Sequence, residues 1–99
     1  MIKVSPKGFY MTFSNGWTVS VQFGEFNYCD NKYQDARSEC ANAEVAVFDR
    51  NGTFYRLTPH DDVEGYVEPD KIANIIQMVS GFTGDADEMN AIPHVHYET

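Results

Sequence analysis

The sequence predicts an α+β domain, with two antiparallel β-hairpins forming a roughly four-stranded sheet packed by one C-terminal helix. Three observations lead there. Asn15-Gly16 and Asn51-Gly52 each interrupt a run of alternating apolar and polar residues, the strongest short-range hairpin signal, and a helical apolar stripe begins after Glu68.

In the first hairpin, residues 8–23, the loop length decides the register. A two-residue Asn15-Gly16 loop would pair Ser14 with Trp17 and put the apolar sets of the two strands on opposite faces. A three-residue loop over Ser14-Asn15-Gly16 pairs Phe13 with Trp17, Met11 with Val19 and Phe9 with Val21, which gathers every large apolar side chain on one face. Gly16 then takes the left-handed conformation of a G1 bulge, and Tyr10, Thr12, Thr18, Ser20 and Gln22 line the polar face.

The second hairpin repeats the design, with Glu44–Asp49 and Thr53–Leu57 flanking Arg50-Asn51-Gly52. Val45, Val47, Tyr55 and Leu57 form its buried face, Ala46, Phe48, Phe54 and Arg56 share the other, and Asp49 suits the first turn position. Residues 24–43 between the hairpins have no sustained period and read as a functional or mobile loop of about twenty residues. Pro69 suits the first helical position, Asp70 the first turn and Gly81 the C-terminal cap. Ile72, Ile75, Ile76 and Val79 fall at i, i+3, i+4 and i+7, and Phe82 continues the stripe. The expected organisation is one domain over residues 1–82 and an acidic tail over 83–99, whose 92–97 stretch is a short edge strand or a frayed end.

Composition bounds the function. A 99-residue chain buries roughly 60–65% of its unfolded surface, enough for one core, and 42% hydrophobic content is too rich for a disordered chain. Fifteen Asp and Glu against seven Lys and Arg give −8, a field that repels phosphate backbones and anionic lipid and attracts basic surfaces. Direct nucleic-acid binding and membrane association are therefore disfavoured. Met1–Lys7 lacks the apolar core of a signal peptide, and no run approaches the ~20 apolar residues of a membrane span, so a cytoplasmic protein is expected.

The strings Gly8-Phe9-Tyr10-Met11-Thr12-Phe13 and Asn15–Gly24, followed by Asn27-Tyr28-Cys29, resemble a class of small uncharacterised accessory proteins of tailed phages and prophages. The similarity continues through Ala43–Ala46 and Gly65–Asp70. It implies a context, a phage product acting in the bacterial cytoplasm against host defence, and carries over no catalytic pattern.

Cys29, Cys40, His94 and His96 have zinc-ligand chemistry, yet Cys-x10-Cys lacks the two-residue knuckle, and His-x-His shares one face only in a strand. Two thiols and two surface histidines outweigh that reading. His60-Asp61-Asp62 is a polar loop before it is a ligand set. Asp49-Arg50-Asn51-Gly52 has its glycine fourth, where a calcium loop needs it sixth, and is a turn. No nucleophile sits beside a base, so no enzyme, cofactor or metal is expected.

The acidic clusters are the informative feature. Asp61, Asp62, Glu64 and Glu68 precede the helix and Asp85, Asp87 and Glu88 follow it, which predicts one strongly negative end. With Tyr28, Tyr33 and Tyr66 interleaved, Asp61, Asp62, Glu64, Tyr66, Asp85 and Asp87 form the expected partner-binding surface, facing a basic, nucleic-acid-binding host protein. An alternative set, Arg37, Arg50 and Arg56 with Asn27 and Asn31, would trap a small nucleotide signal between subunits of a homo-oligomer. A structural phage component is the third reading.

Overall fold

The computed structural model describes residues 1–24, 27–30, 39–59 and 61–91. Strands β1 (Ile2–Ser5), β2 (Gly8–Thr12), β3 (Thr18–Gln22), β4 (Ala43–Phe48) and β5 (Val63–Val67) form one antiparallel sheet in the order β1-β2-β3-β4-β5. Helices α1 (Pro69–Ser80) and α2 (Ala86–Ala91) follow.

The first hairpin has the register that one-face packing demands. Phe9 faces Val21, Met11 faces Val19, and the Phe13 N–H donates to the Trp17 carbonyl at 2.9 Å. Gly16 sits at φ 89°, where a Cβ would be strained, and closes the three-residue loop as a G1 bulge. On the opposite face the Thr12 and Thr18 hydroxyls lie 2.8 Å apart, and Ser5 donates to Gln22 at 2.9 Å.

Two of the five strands, β1 and β5, are not among the four expected, and one expected strand, Thr53–Leu57, does not form. β1 pairs with β2 through the two-residue loop Pro6-Lys7, placing Ile2 opposite Met11 and Val4 opposite Phe9. β5 takes the place of the expected return arm of the second hairpin, which is reduced to an isolated bridge. Phe54 makes a single bridge to Phe48 and the Tyr55 N–H donates to Val47 at 2.9 Å, after which the chain leaves the sheet and rejoins β4 at Val63. Strand β5 takes up the same edge of β4 over Ala43–Ala46. On the outward side of residues 54–56, the side chain of Asn90 in α2 donates to the Phe54 carbonyl at 3.1 Å and accepts from the Arg56 N–H at 2.9 Å, so backbone groups that no strand pairs are satisfied by α2.

The core lies between the sheet and the helices. Trp17, Val19, Val21, Val45, Val47, Tyr55, Leu57 and Val67 meet Ile75 and Val79 of α1, with Ile72, Ile76 and Phe82 packed against them. Trp17 stands edge-on to Phe82 and Tyr55 at centroid distances of 4.9 and 6.2 Å. Helix α1 begins at Pro69, as its sequence signals require, and ends at Gly81, whose N–H donates to Met78.

Within the segment read as an acidic tail, residues 83–91 fold onto the body. Ala86 is fully buried, Met89 packs on the core, and the Trp17 indole N–H donates to the Gly84 carbonyl at 2.8 Å. Among the described residues, no helix is long and apolar enough to cross a membrane.

Candidate functional site

Strand β5 carries one more residue than β4 across their pairing. Glu64 faces Val45 and Val67 faces Ala43, so Gly65 and Tyr66 together oppose Glu44. Tyr66 absorbs the extra residue at φ 55°, a conformation rare for a bulky side chain, and the residue is left 53% exposed.

Glu44 and Gly65 bring a second tyrosine to the bulge. The Glu44 carboxylate accepts from the Asn27 side-chain amide and from the Tyr28 N–H, both at 3.1 Å, while the Tyr66 N–H donates to the Tyr28 carbonyl at 2.7 Å. A Cβ on Gly65 would lie 2.5 Å from that of Tyr28, so only glycine permits this approach. Tyr28 is 51% exposed. Tyr28, Tyr66, Gly65 and Val63 with Asp61 and Asp62 line a cleft of about 470 Å³. Asp61 and Asp62 are both exposed and enter from a turn in which the Thr58 hydroxyl accepts the Asp61 N–H at 3.0 Å. Two carboxylates and two aromatic faces suit a cation, through charge and through the ring quadrupoles.

Four of the expected partner-binding residues thus come together, and three others do not. Glu64 lies on the opposite face of β5, where Lys71 of α1 donates to it at 2.6 Å. Asp85 opens α2 in a capping box: its carboxylate accepts the Glu88 N–H at 2.9 Å, and Glu88 reaches back to the Asp85 N–H at 3.4 Å. Asp87 is exposed on α2. The acidic groups therefore divide between two places, because a second cleft of about 550 Å³, at the hairpin turns, is the one lined by Asp85 and Glu88. Tyr33 lies outside the described residues.

Side chains at the hairpin turns hold the helix ends. The Asn15 amide donates to the carbonyls of Val79 at 2.9 Å, Phe82 at 3.0 Å and Ser80 at 3.3 Å around the end of α1, where Val79 also accepts the Phe82 N–H. Asp49 accepts from Ala86 and Asn51 at 2.9 Å and from Thr53 at 3.0 Å. Burial pushes the Asp49 carboxyl up, but these N–H groups and the Arg50 guanidinium outweigh it, so its pKa lies below the usual aspartate value. Arg50 joins the two turns by donating to the Asn15 carbonyl at 3.0 Å.

Among the described residues, Asn27, Arg50 and Arg56 of the alternative nucleotide-binding set do not converge within one chain. Asn27 is bound to Glu44 near the start of β4, whereas Arg50 lies in the turn beyond its end, roughly 20 Å away at strand rise. Arg56 is exposed on the segment that α2 covers. Arg37 and Asn31 fall outside the described residues, as do His60, His94 and His96. Cys29 is a buried thiol 3.8 Å from the Gly24 carbonyl, and Cys40 is a half-buried thiol. Among the described residues, no three His, Cys, Asp or Glu side chains gather as metal ligands.

Val63 and Gly65, which line the cleft, and Glu44, which holds Tyr28 beside it, are the residues that sequence reasoning missed. Gly65 before an aromatic in a strand-like run is a recognised sign of a bulge or close approach, and it was the available signal. No protein-family model matches the chain, and neither does any curated protein or solved structure.

Proposed function

We propose that this is a non-enzymatic binding protein whose Tyr28–Asp61–Asp62–Tyr66 cleft takes a basic side chain of a protein partner, arginine above lysine. The carrying observation is the bulge at Gly65-Tyr66. A left-handed non-glycine residue costs about 1–2 kcal/mol, and here it turns an aromatic ring outward beside two exposed carboxylates. A planar guanidinium stacks on tyrosine and pairs with carboxylates at once, which a lysine ammonium does less well. In the setting implied by the resemblance to phage accessory proteins, the partner is a basic, nucleic-acid-binding host protein and the outcome is its inhibition.

Calorimetric titration with an arginine-rich peptide, its lysine counterpart and an acidic control tests the reading. Arginine is expected to bind best, with affinity falling as salt rises. Tyr66→Ala, or Asp61→Asn with Asp62→Asn, should weaken binding by about tenfold or more, roughly 1–2 kcal/mol. Asp87→Asn, outside the cleft, should leave it unchanged. Equal binding of all three peptides, or indifference to Tyr66→Ala, would sink the proposal.

A further inference from the structure

The two sides of the sheet end differently. On the β5 side, the Tyr66 N–H is occupied by the Tyr28 carbonyl, and the neighbouring Phe54 and Arg56 backbone groups are occupied by Asn90. Strand β1 has no such cover among the described residues. Met1 and Thr12 exchange both backbone hydrogen bonds, at 2.7 and 2.8 Å. By antiparallel alternation Lys3 and Ser5 also face β2, and the N–H and C=O groups of Ile2 and Val4 point outward. The side chains of Ile2 and Val4, 68% and 82% exposed, stand on the core face beside Met11 and Phe9. An apolar strand with unpaired backbone groups is a template for another strand.

We propose that β1 pairs antiparallel with β1 of a second copy, giving a two-fold dimer with a continuous sheet. Three features favour a second copy as the occupant. Because the Tyr66 N–H and the Phe54 and Arg56 backbone groups on the opposite side are already occupied, backbone pairing of β1 with β1 is favoured over head-to-tail growth, and it closes at two. Lys3 and Lys7 are the only charged side chains in residues 1–24, so two chains of net charge −8 meet with least repulsion along this edge. The edge is also self-complementary. Keeping both core faces on one side leaves two central registers, one with the two-fold axis at Lys3 and one with it at Val4. The first opposes two ammonium groups. The second sets Lys3 opposite Ser5 of the second copy, Val4 opposite its own counterpart with two mutual hydrogen bonds, and the Ile2 N–H toward the carbonyl of Pro6. Pro6 has no N–H, so the Ile2 carbonyl stays with water.

Four residues of edge make a small interface, well below the ~1,600 Å² of a standard one, so the dimer should dissociate on dilution. The inference does not depend on what the acidic cleft binds. Sedimentation velocity of the full chain between ~10 μM and ~1 mM should show a monomer–dimer equilibrium that shifts toward dimer as salt screens the net charge. Val4→Lys, at an exposed position, should abolish the dimer while leaving the circular dichroism spectrum unchanged. Val4→Cys should form an intermolecular disulfide through the introduced thiol under mild oxidation, because paired antiparallel Cα atoms lie within disulfide reach, and Lys3→Cys should not. A monomer throughout the range, a dimer that survives Val4→Lys, open-ended growth, or cross-linking by Lys3→Cys in place of Val4→Cys overturns the proposal.

Discussion

Asp49 is buried at the second turn, yet its pKa is lowered because three backbone N–H groups and Arg50 hold the ionised form. A carboxylate whose folded pKa is depressed stabilises the fold above its unfolded pKa, near 3.8, and that contribution is lost as pH falls through the lower folded value. Asp49→Asn should flatten the stability loss below about pH 4 and lower stability at pH 7 by roughly 1.5–3 kcal/mol, read from urea denaturation. Tyr55 works in the opposite sense. Burial raises its pKa above 10.0, so its contribution is complete below the unfolded value and is lost as pH rises through the folded one. Tyr55→Phe should therefore remove part of the alkaline destabilisation above pH 10, seen in thermal melts at pH 9 and 11. Asn15 has no titration to reveal it. Its single amide serves three carbonyls around the end of α1, and Asn15→Ala should cost about 1–3 kcal/mol through the hydrogen bonds it removes.

Helix α2 is six residues long and would not persist alone in water, so its order comes from what it touches. Ala86 fills the core, its N–H completes Asp49, and Asn90 closes the edge of residues 54–56. Ending the chain at Phe82 should therefore destabilise the body by several kcal/mol and expose Trp17, measurable as a lower urea midpoint and a red-shifted tryptophan emission. The Asp85-x-x-Glu88 spacing is a capping-box signature for this helix, but the charge of the segment masks it, and the segment reads from sequence as an acidic tail. The first hairpin is legible down to its register, since parity and Gly16 leave one arrangement with a single apolar face. Helix α1 is legible for the same kind of reason, through Pro69 and the isoleucine spacing. Strand β1 is not, because four residues are too few for a period and their apolar side chains are exposed. The cleft is legible only as residue types. Asp61, Asp62, Tyr28 and Tyr66 carry the expected chemistry, but a left-handed tyrosine has no local signature, and Glu44 holds Tyr28 across the sheet.

At the scale of the molecule, charge is unevenly placed. All fifteen carboxylate side chains fall after residue 24, so the field opposes compaction mainly on the side of β4, β5 and the helices. Raising NaCl from about 20 to 300 mM should increase the thermal midpoint by a few degrees, and Asp61→Asn with Asp62→Asn should reduce that salt response. The strand order has a kinetic corollary. Each strand pairs with its immediate neighbours in sequence, so the sheet can assemble by successive addition, with β1, β2 and β3 zipping through short turns before any distant segment is recruited. The longest closure inside the sheet is residues 23–42, which must be spanned before β4 can dock on β3. Loop entropy grows only by about 0.6 kcal/mol per doubling of length, so lengthening that connection should slow refolding modestly while leaving the unfolding rate almost untouched.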